Sequence, residues 1–127
     1  MTAKPTRLPG VRGDWEAGKI ALKAFAMMVR RERVVKYQLV ATAVVVAAGF
    51  WRGFGPGQWL FVAIFAGWPI YAEMNNATHE ATGTRISAKP DHGVGVIKDK
   101  AAGTVVVPTL IALFIALPVL FLSAPGW

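Results

Sequence analysis

Apolar residues in this chain are gathered into three long runs, divided by a glycine-rich break and by a polar stretch. The first run extends from Val34 to Trp51 and is interrupted only by Lys36, Gln38 and small polar groups. The second extends from Trp59 to Ala72 and can continue as helix past Glu73, and the third extends from Ala101 to Ala124. A helix of about 20 apolar residues crosses a hydrocarbon core of about 30 Å. The pattern therefore predicts an all-α membrane protein with spans over about residues 34–51, 59–82 and 98–123. The second run is short as pure hydrocarbon, so its polar end is expected to emerge as helix among the headgroups.

Between residues 14 and 31 the periodicity is different. Lys19, Lys23 and Arg30 recur on one helical face, and Leu22, Phe25 and Val29 occupy another. A basic face opposite an aromatic and aliphatic one suits a helix lying in the membrane interface. Residues 1–13 carry Pro5 and Pro9 and read as a flexible tail without the apolar core of a signal peptide. The segment Gly53-Phe54-Gly55-Pro56-Gly57 reads as a turn, bracketed at headgroup depth by Trp51 and Trp59. Pro69 predicts a kink in the second span, and a bundle tolerates Pro108 and Pro118 in the third. Residues 14–127 are expected to form one domain.

Charge adds orientation. The net charge is +7, with nine Lys/Arg in residues 1–36, four in residues 85–100 and only Arg52 between the first two spans. Cations confined to one side follow the positive-inside rule and place the N-terminus and the second connection in the cytoplasm. The same confinement removes the nucleic-acid reading that a basic chain invites. All seven acidic residues lie on that side too. Cysteine is absent, which excludes disulfides. No phosphate-binding Gly-x-x-x-x-Gly-Lys-Ser/Thr loop occurs, and His79 and His92 lack zinc-ligand spacing.

The candidate chemistry lies where the apolar runs end. On a helix turning about 100° per residue, Asn76 falls about 60° and Glu80 about 20° from Glu73. Three polar side chains thus share one face over two turns, and such a stripe must look into the bundle or a wet cavity. Glu32 and the pair Lys98-Asp99 are expected at the same depth. Glu32 has Arg31, Arg33 and Lys36 beside it, and pairing with them is its alternative use. Carboxylates together with phosphate oxygens are the usual ligands of Mg²⁺, and phosphoryl transfer needs little beyond positioning and charge stabilisation.

Glu73-Met-Asn-Asn76-Ala-Thr-His-Glu80, followed by Lys98-Asp99-Lys-Ala-Ala-Gly103, resembles the small prokaryotic diacylglycerol kinases and their undecaprenol kinase branch. The resemblance covers roughly residues 14–123. It implies a homotrimer in the bacterial inner membrane, with N-terminus and active site cytoplasmic, that phosphorylates a lipid hydroxyl with ATP and Mg²⁺. Glu73 would be the general base on the lipid hydroxyl. Glu32 and Glu80 would hold Mg²⁺ on the ATP phosphates, and Asn76, His92, Lys98 and Asp99 would bind ATP. Lys36, Trp51 and Ala102 would join Glu73 in contacting the lipid substrate. The expected product is phosphatidate from diacylglycerol; the alternatives are polyprenol phosphorylation and a non-catalytic scaffold of the same fold. The chain departs from the family pattern at Ile20, Thr78, His79, Thr84 and Ala102.

Overall fold

A computed structural model of the chain describes residues 10–127. The first part of the expected tail, residues 1–9, lies outside the described residues, and helix already begins at Gly10. Four helices follow one another: α1 (Gly10–Arg31), α2 (Arg33–Arg52), α3 (Pro56–Ile86) and α4 (His92–Leu122). Among the described residues there is no strand.

Each junction has a local cause. Glu32 alone separates α1 from α2, with extended backbone angles (φ −86°, ψ 110°) that turn the chain from one axis to the next. Gly53 ends α2 at φ +75°, a left-handed conformation that costs glycine nothing. Pro56 then opens α3 at a position whose N–H would have gone unbonded in any case. The second connection stops at Asp91, whose carboxylate Oδ1 accepts from the Val94 N–H at 2.9 Å and caps α4. That cap starts α4 at His92, earlier than the apolar run alone indicates. Within α4, Pro108 and Pro118 remove two backbone donors, and a π-helical turn over Ala112–Ala116 lies between them.

The helices pack as a thin bundle in which α3 lies against both α2 and α4. Gln38 on α2 donates from Nε2 to the Pro69 carbonyl on α3 at 3.1 Å, a polar link that fixes their register. An apolar cleft of about 150 Å³ begins at this link and runs between α2, α3 and α4 toward Leu120. Beyond it Phe54, Val62 and Leu120 form the buried cluster, with Trp59 and Phe121 packed against it.

Gln58 closes this end of the bundle. It is fully buried, and its Oε1 accepts from the Gly55 N–H at 3.0 Å and from the Gly126 N–H at 2.8 Å. Its own backbone N–H donates to the Trp127 carbonyl at 3.1 Å. Residues 123–127 are thereby tied back onto the turn between α2 and α3.

Much of the apolar surface is left uncovered. Leu60, Ile64, Trp68 and Tyr71 form an exposed stripe on α3, and Val40, Val44, Leu110 and Phe114 are exposed on α2 and α4. Two helices, α2 and α4, are long and apolar enough to cross a membrane, with only 11% and 17% of their apolar windows buried. The core helix of a soluble protein would be mostly covered, so both are candidate membrane spans. Three spans were expected, and α3 does not meet the same criterion. Its length is sufficient, but Gly67, Trp68, Pro69 and Tyr71 dilute its apolar run before Glu73 ends it.

Replacing Gln58 by alanine leaves the N–H groups of Gly55 and Gly126 without their acceptor. The variant is expected to lose about 1–3 kcal/mol of stability. Thermal or denaturant unfolding in detergent micelles would measure this, and an unchanged midpoint would show that the tie contributes nothing.

Candidate active site

The polar stripe of α3 arises from the same periodicity that packs the helix. Its inward positions are Gln58, Val62, Pro69, Ala72, Asn76 and Gly83, each buried. This stripe is apolar through the bundle and changes to polar at Asn76. Glu73, one position past Ala72, is half-buried; Glu80, two turns further on, is exposed. The Gln38–Pro69 bond sets the height at which α2 meets this region. Glu73 lies one turn beyond Pro69, and Glu32 lies less than two turns before Gln38, at the same end of the bundle.

These groups come together. The Glu73 carboxylate faces the Asn76 side chain and lies within electrostatic range of both Glu80 and Glu32. Glu32 occupies the N-cap position of α2, yet its side chain makes no capping hydrogen bond, so the carboxylate is not consumed by its own helix. Asn76 is 7% exposed, and its Oδ1 has no hydrogen-bond partner.

Among the described residues the one ion pair joins Lys19 to Glu16 at 3.3 Å, on α1. The expected alternative for Glu32, pairing with Arg31, Arg33 or Lys36, does not occur. Carboxylates gathered at a membrane edge repel one another unless a cation stands between them, and among the described residues none is paired with them. Among the described residues no three His, Cys, Asp or Glu side chains converge on a single ion position. A protein-only metal cage is therefore absent there. The donor set suits Mg²⁺, which takes one or two carboxylates and completes its shell with water and phosphate oxygens.

The cationic part of the site comes from α4. Lys98 is half-buried against α3, and its ammonium donates to Thr84 Oγ1 at 3.1 Å. Together with His92 and residues of the second connection, Lys98 and Thr84 line a cleft of about 480 Å³. Asp99 is exposed about 100° round the helix from Lys98 and does not face this cleft. His92 is exposed in the first turn of α4.

The residues expected to meet lipid are more scattered. Lys36 is exposed on α2 one turn from Glu32, and Ala102 is exposed on α4. Trp51 is 87% exposed, but it lies at the far end of α2 from Glu73. The thirteen residues of helix from Gln38 to Trp51 amount to roughly 20 Å of rise. Within one chain it is therefore not a neighbour of the carboxylates.

Sequence reasoning missed the Gln38–Pro69 bond and the fit of Lys98 over α3. The signal for the second was visible: Gly83, a glycine inside a helix, on the same face as Glu73, Asn76 and Glu80. A glycine there costs helix stability and calls for a close neighbour.

No curated protein and no solved structure matches the chain. The sequence model of the family described as prokaryotic diacylglycerol kinase matches residues 19–120, which take in Glu32, the α3 stripe and Lys98. With most of its length so matched, the chain belongs to the prokaryotic diacylglycerol kinase family.

Proposed function

We propose that the protein is a lipid kinase of the inner membrane. It transfers the γ-phosphoryl group of Mg-ATP to the hydroxyl of diacylglycerol and yields phosphatidate and ADP. The observation that carries this reading is the α3 face itself. Unpaired carboxylates stand at its membrane end, and a lysine without a carboxylate partner stands at its loop end. About 16 Å of helix rise separates Glu73 from Thr84, the partner of Lys98.

In this reading α3 is the third membrane-crossing helix, and its stripe stands at the cytoplasmic surface. The basic residues flanking α2 and those of the second connection support that orientation. The basic and apolar faces of α1 suit a helix lying on the same surface. We further assign the chain to a homotrimer, as its family resemblance implies. The uncovered apolar faces of α2, α3 and α4 leave room for neighbouring subunits as well as lipid.

Each residue then has a task. Glu73 takes the proton of the lipid hydroxyl as its oxygen attacks the γ-phosphorus. The new O–P bond forms while the bond to the ADP oxygen breaks. Glu32 and Glu80 would hold Mg²⁺, which when bound offsets the negative charge of the phosphates. Asn76 has an unused polar atom to orient the phosphates or the water around the ion. Lys98 and His92 would contact the nucleotide from α4. Asp99 joins the nucleotide site only if a neighbouring subunit or a local rearrangement brings ligand to its face. Polyprenol phosphorylation is the second reading, and Ala102 is the observation that favours it. Its exposed methyl group offers no hydrogen bond to a glycerol headgroup.

Radiolabelled ATP in mixed micelles containing diacylglycerol, a polyprenol or neither separates these readings. Label in diacylglycerol supports the first and label in the polyprenol the second. Transfer to neither leaves the scaffold. Glu73→Gln is expected to lower turnover about 10²–10⁴-fold while Mg-ATP binding persists. Near-wild-type turnover would remove Glu73 from the chemistry. Glu80→Gln is expected to weaken Mg-ATP binding and raise the Mg²⁺ concentration needed for activity. An unchanged Mg²⁺ dependence would remove Glu80 as a ligand.

A further inference from the structure

Lys98 reaches α3 through a gap left by a missing side chain. Gly83 is buried in the α3–α4 contact, and a methyl group built on it would stand 2.9 Å from Lys98 Cε and 3.1 Å from Val94 Cγ1. The aliphatic stem of Lys98 thus lies across the bare backbone of α3. Its ammonium emerges at the next residue, where it donates to Thr84 Oγ1 at 3.1 Å.

The hydroxyl that receives it is itself oriented. Thr84 Oγ1 donates to the Glu80 carbonyl at 3.0 Å, one turn back along α3. Its hydrogen is committed, so what it presents to Lys98 is a lone pair. The result is a directed chain from the Lys98 ammonium to the Thr84 hydroxyl to the Glu80 carbonyl. An ammonium has three hydrogens to donate. Thr84 occupies one, carries no charge, and no carboxylate lies within 4.0 Å of Lys98. Two N–H groups and the whole positive charge are left for a ligand in the cleft that Thr84, His92 and Lys98 line.

We propose that Gly83 and Thr84 are positioning residues that hold the Lys98 ammonium, uncompensated by any acid, against the phosphates of the nucleotide. Gly83 lets the stem cross α3, and Thr84 fixes the direction of the charge without neutralising it. This rests on the kinase reading above in one respect, that Lys98 meets a nucleotide phosphate.

The test combines kinetics with a measurement that needs no turnover. Thr84→Val keeps the shape and removes the acceptor. Its KM for Mg-ATP is expected to rise about three- to tenfold, with a smaller effect on kcat. Thr84→Ser, which restores a hydroxyl, is expected to recover most of the loss. Gly83→Ala is expected to shift KM in the same direction, by displacing the stem. In a Lys98→Met background, Thr84→Val should add nothing, because the group it positions is gone. Additive effects of the two substitutions would overturn the proposal. If Lys98→Met leaves KM unchanged, the phosphate role of Lys98 fails whatever Thr84 does. If Lys98→Met raises KM and Thr84→Val does not, the positioning role fails while the kinase reading stands. Acetylation of Lys98 by limiting acetic anhydride, read by mass spectrometry, is expected to speed up in Thr84→Val and Gly83→Ala. Unchanged labelling in both would likewise overturn the proposal.

Discussion

One hydrogen bond sets the height of everything at the polar end of the bundle. Gln38 Nε2 reaches the Pro69 carbonyl from a neighbouring helix, between walls that are otherwise apolar. Gln38 is half-buried and its Nε2 is bonded while its Oε1 is not, so sliding α2 past α3 breaks the one hydrogen bond its amide makes. The proline contributes as well. It lacks the N–H that would bond one turn back, which loosens the helix just where a side chain from α2 reaches in. With the register fixed there, Glu32 and Glu73 arrive at a common level. Both are one to two turns from the link, on different helices, and a slip by a single turn would separate them.

The two ends of the bundle carry different polar groups. At the Gln58 end, the amide oxygen is shared between two backbone donors, and residues 123–127 are held down on the turn. At the Glu73 end the groups are left with unused capacity. Glu32 does not cap its helix, Asn76 Oδ1 is unbonded, and the carboxylates pair with no cation among the described residues. Buried polar atoms without a partner occur at both ends: Asn76 Oδ1 here, and Gln58 Nε2 and Arg52 Nε at the other. What sets the Glu73 end apart is its carboxylates, Glu32, Glu73 and Glu80, where the Gln58 end carries no acidic side chain.

Legibility in the sequence divided along the same lines. The helices were readable because apolar runs and glycine–proline breaks are local properties. Gly53 and Pro56 punctuate the chain where the pattern says they should, while α3 runs unbroken through Pro69. The stripe Glu73, Asn76, Glu80 was also readable, since helical geometry alone puts those residues on one face. What escaped were contacts between helices. Nothing in the neighbourhood of Gln38 names Pro69 as its partner, thirty-one residues away. The Asp91 cap that starts α4 early is a side-chain event at one residue, invisible to an apolar window. Trp51 shows what a resemblance leaves open. A resemblance assigned it to the lipid site, but the helix that carries it places it at the other end of the bundle from Glu73.

On the kinase reading proposed above, the exposure of the polar groups on α3 suits a reaction between a lipid and a water-soluble nucleotide. Asn76 is buried, Glu73 is half-buried, and Glu80 and Thr84 are exposed. A base for a lipid hydroxyl must stand where the lipid can reach it, in partial shelter from water. Groups that receive a nucleotide must be open to the aqueous side. A single helix that leaves the bundle at a fixed height supplies both conditions, because each turn carries its side chains about 5.4 Å further from the hydrocarbon. The polar stripe then needs no separate nucleotide-binding domain. Its height follows from the register that Gln38 and Pro69 impose, and α4 adds the positive charge by crossing that stripe at Gly83, the inward position of α3 that carries no side chain.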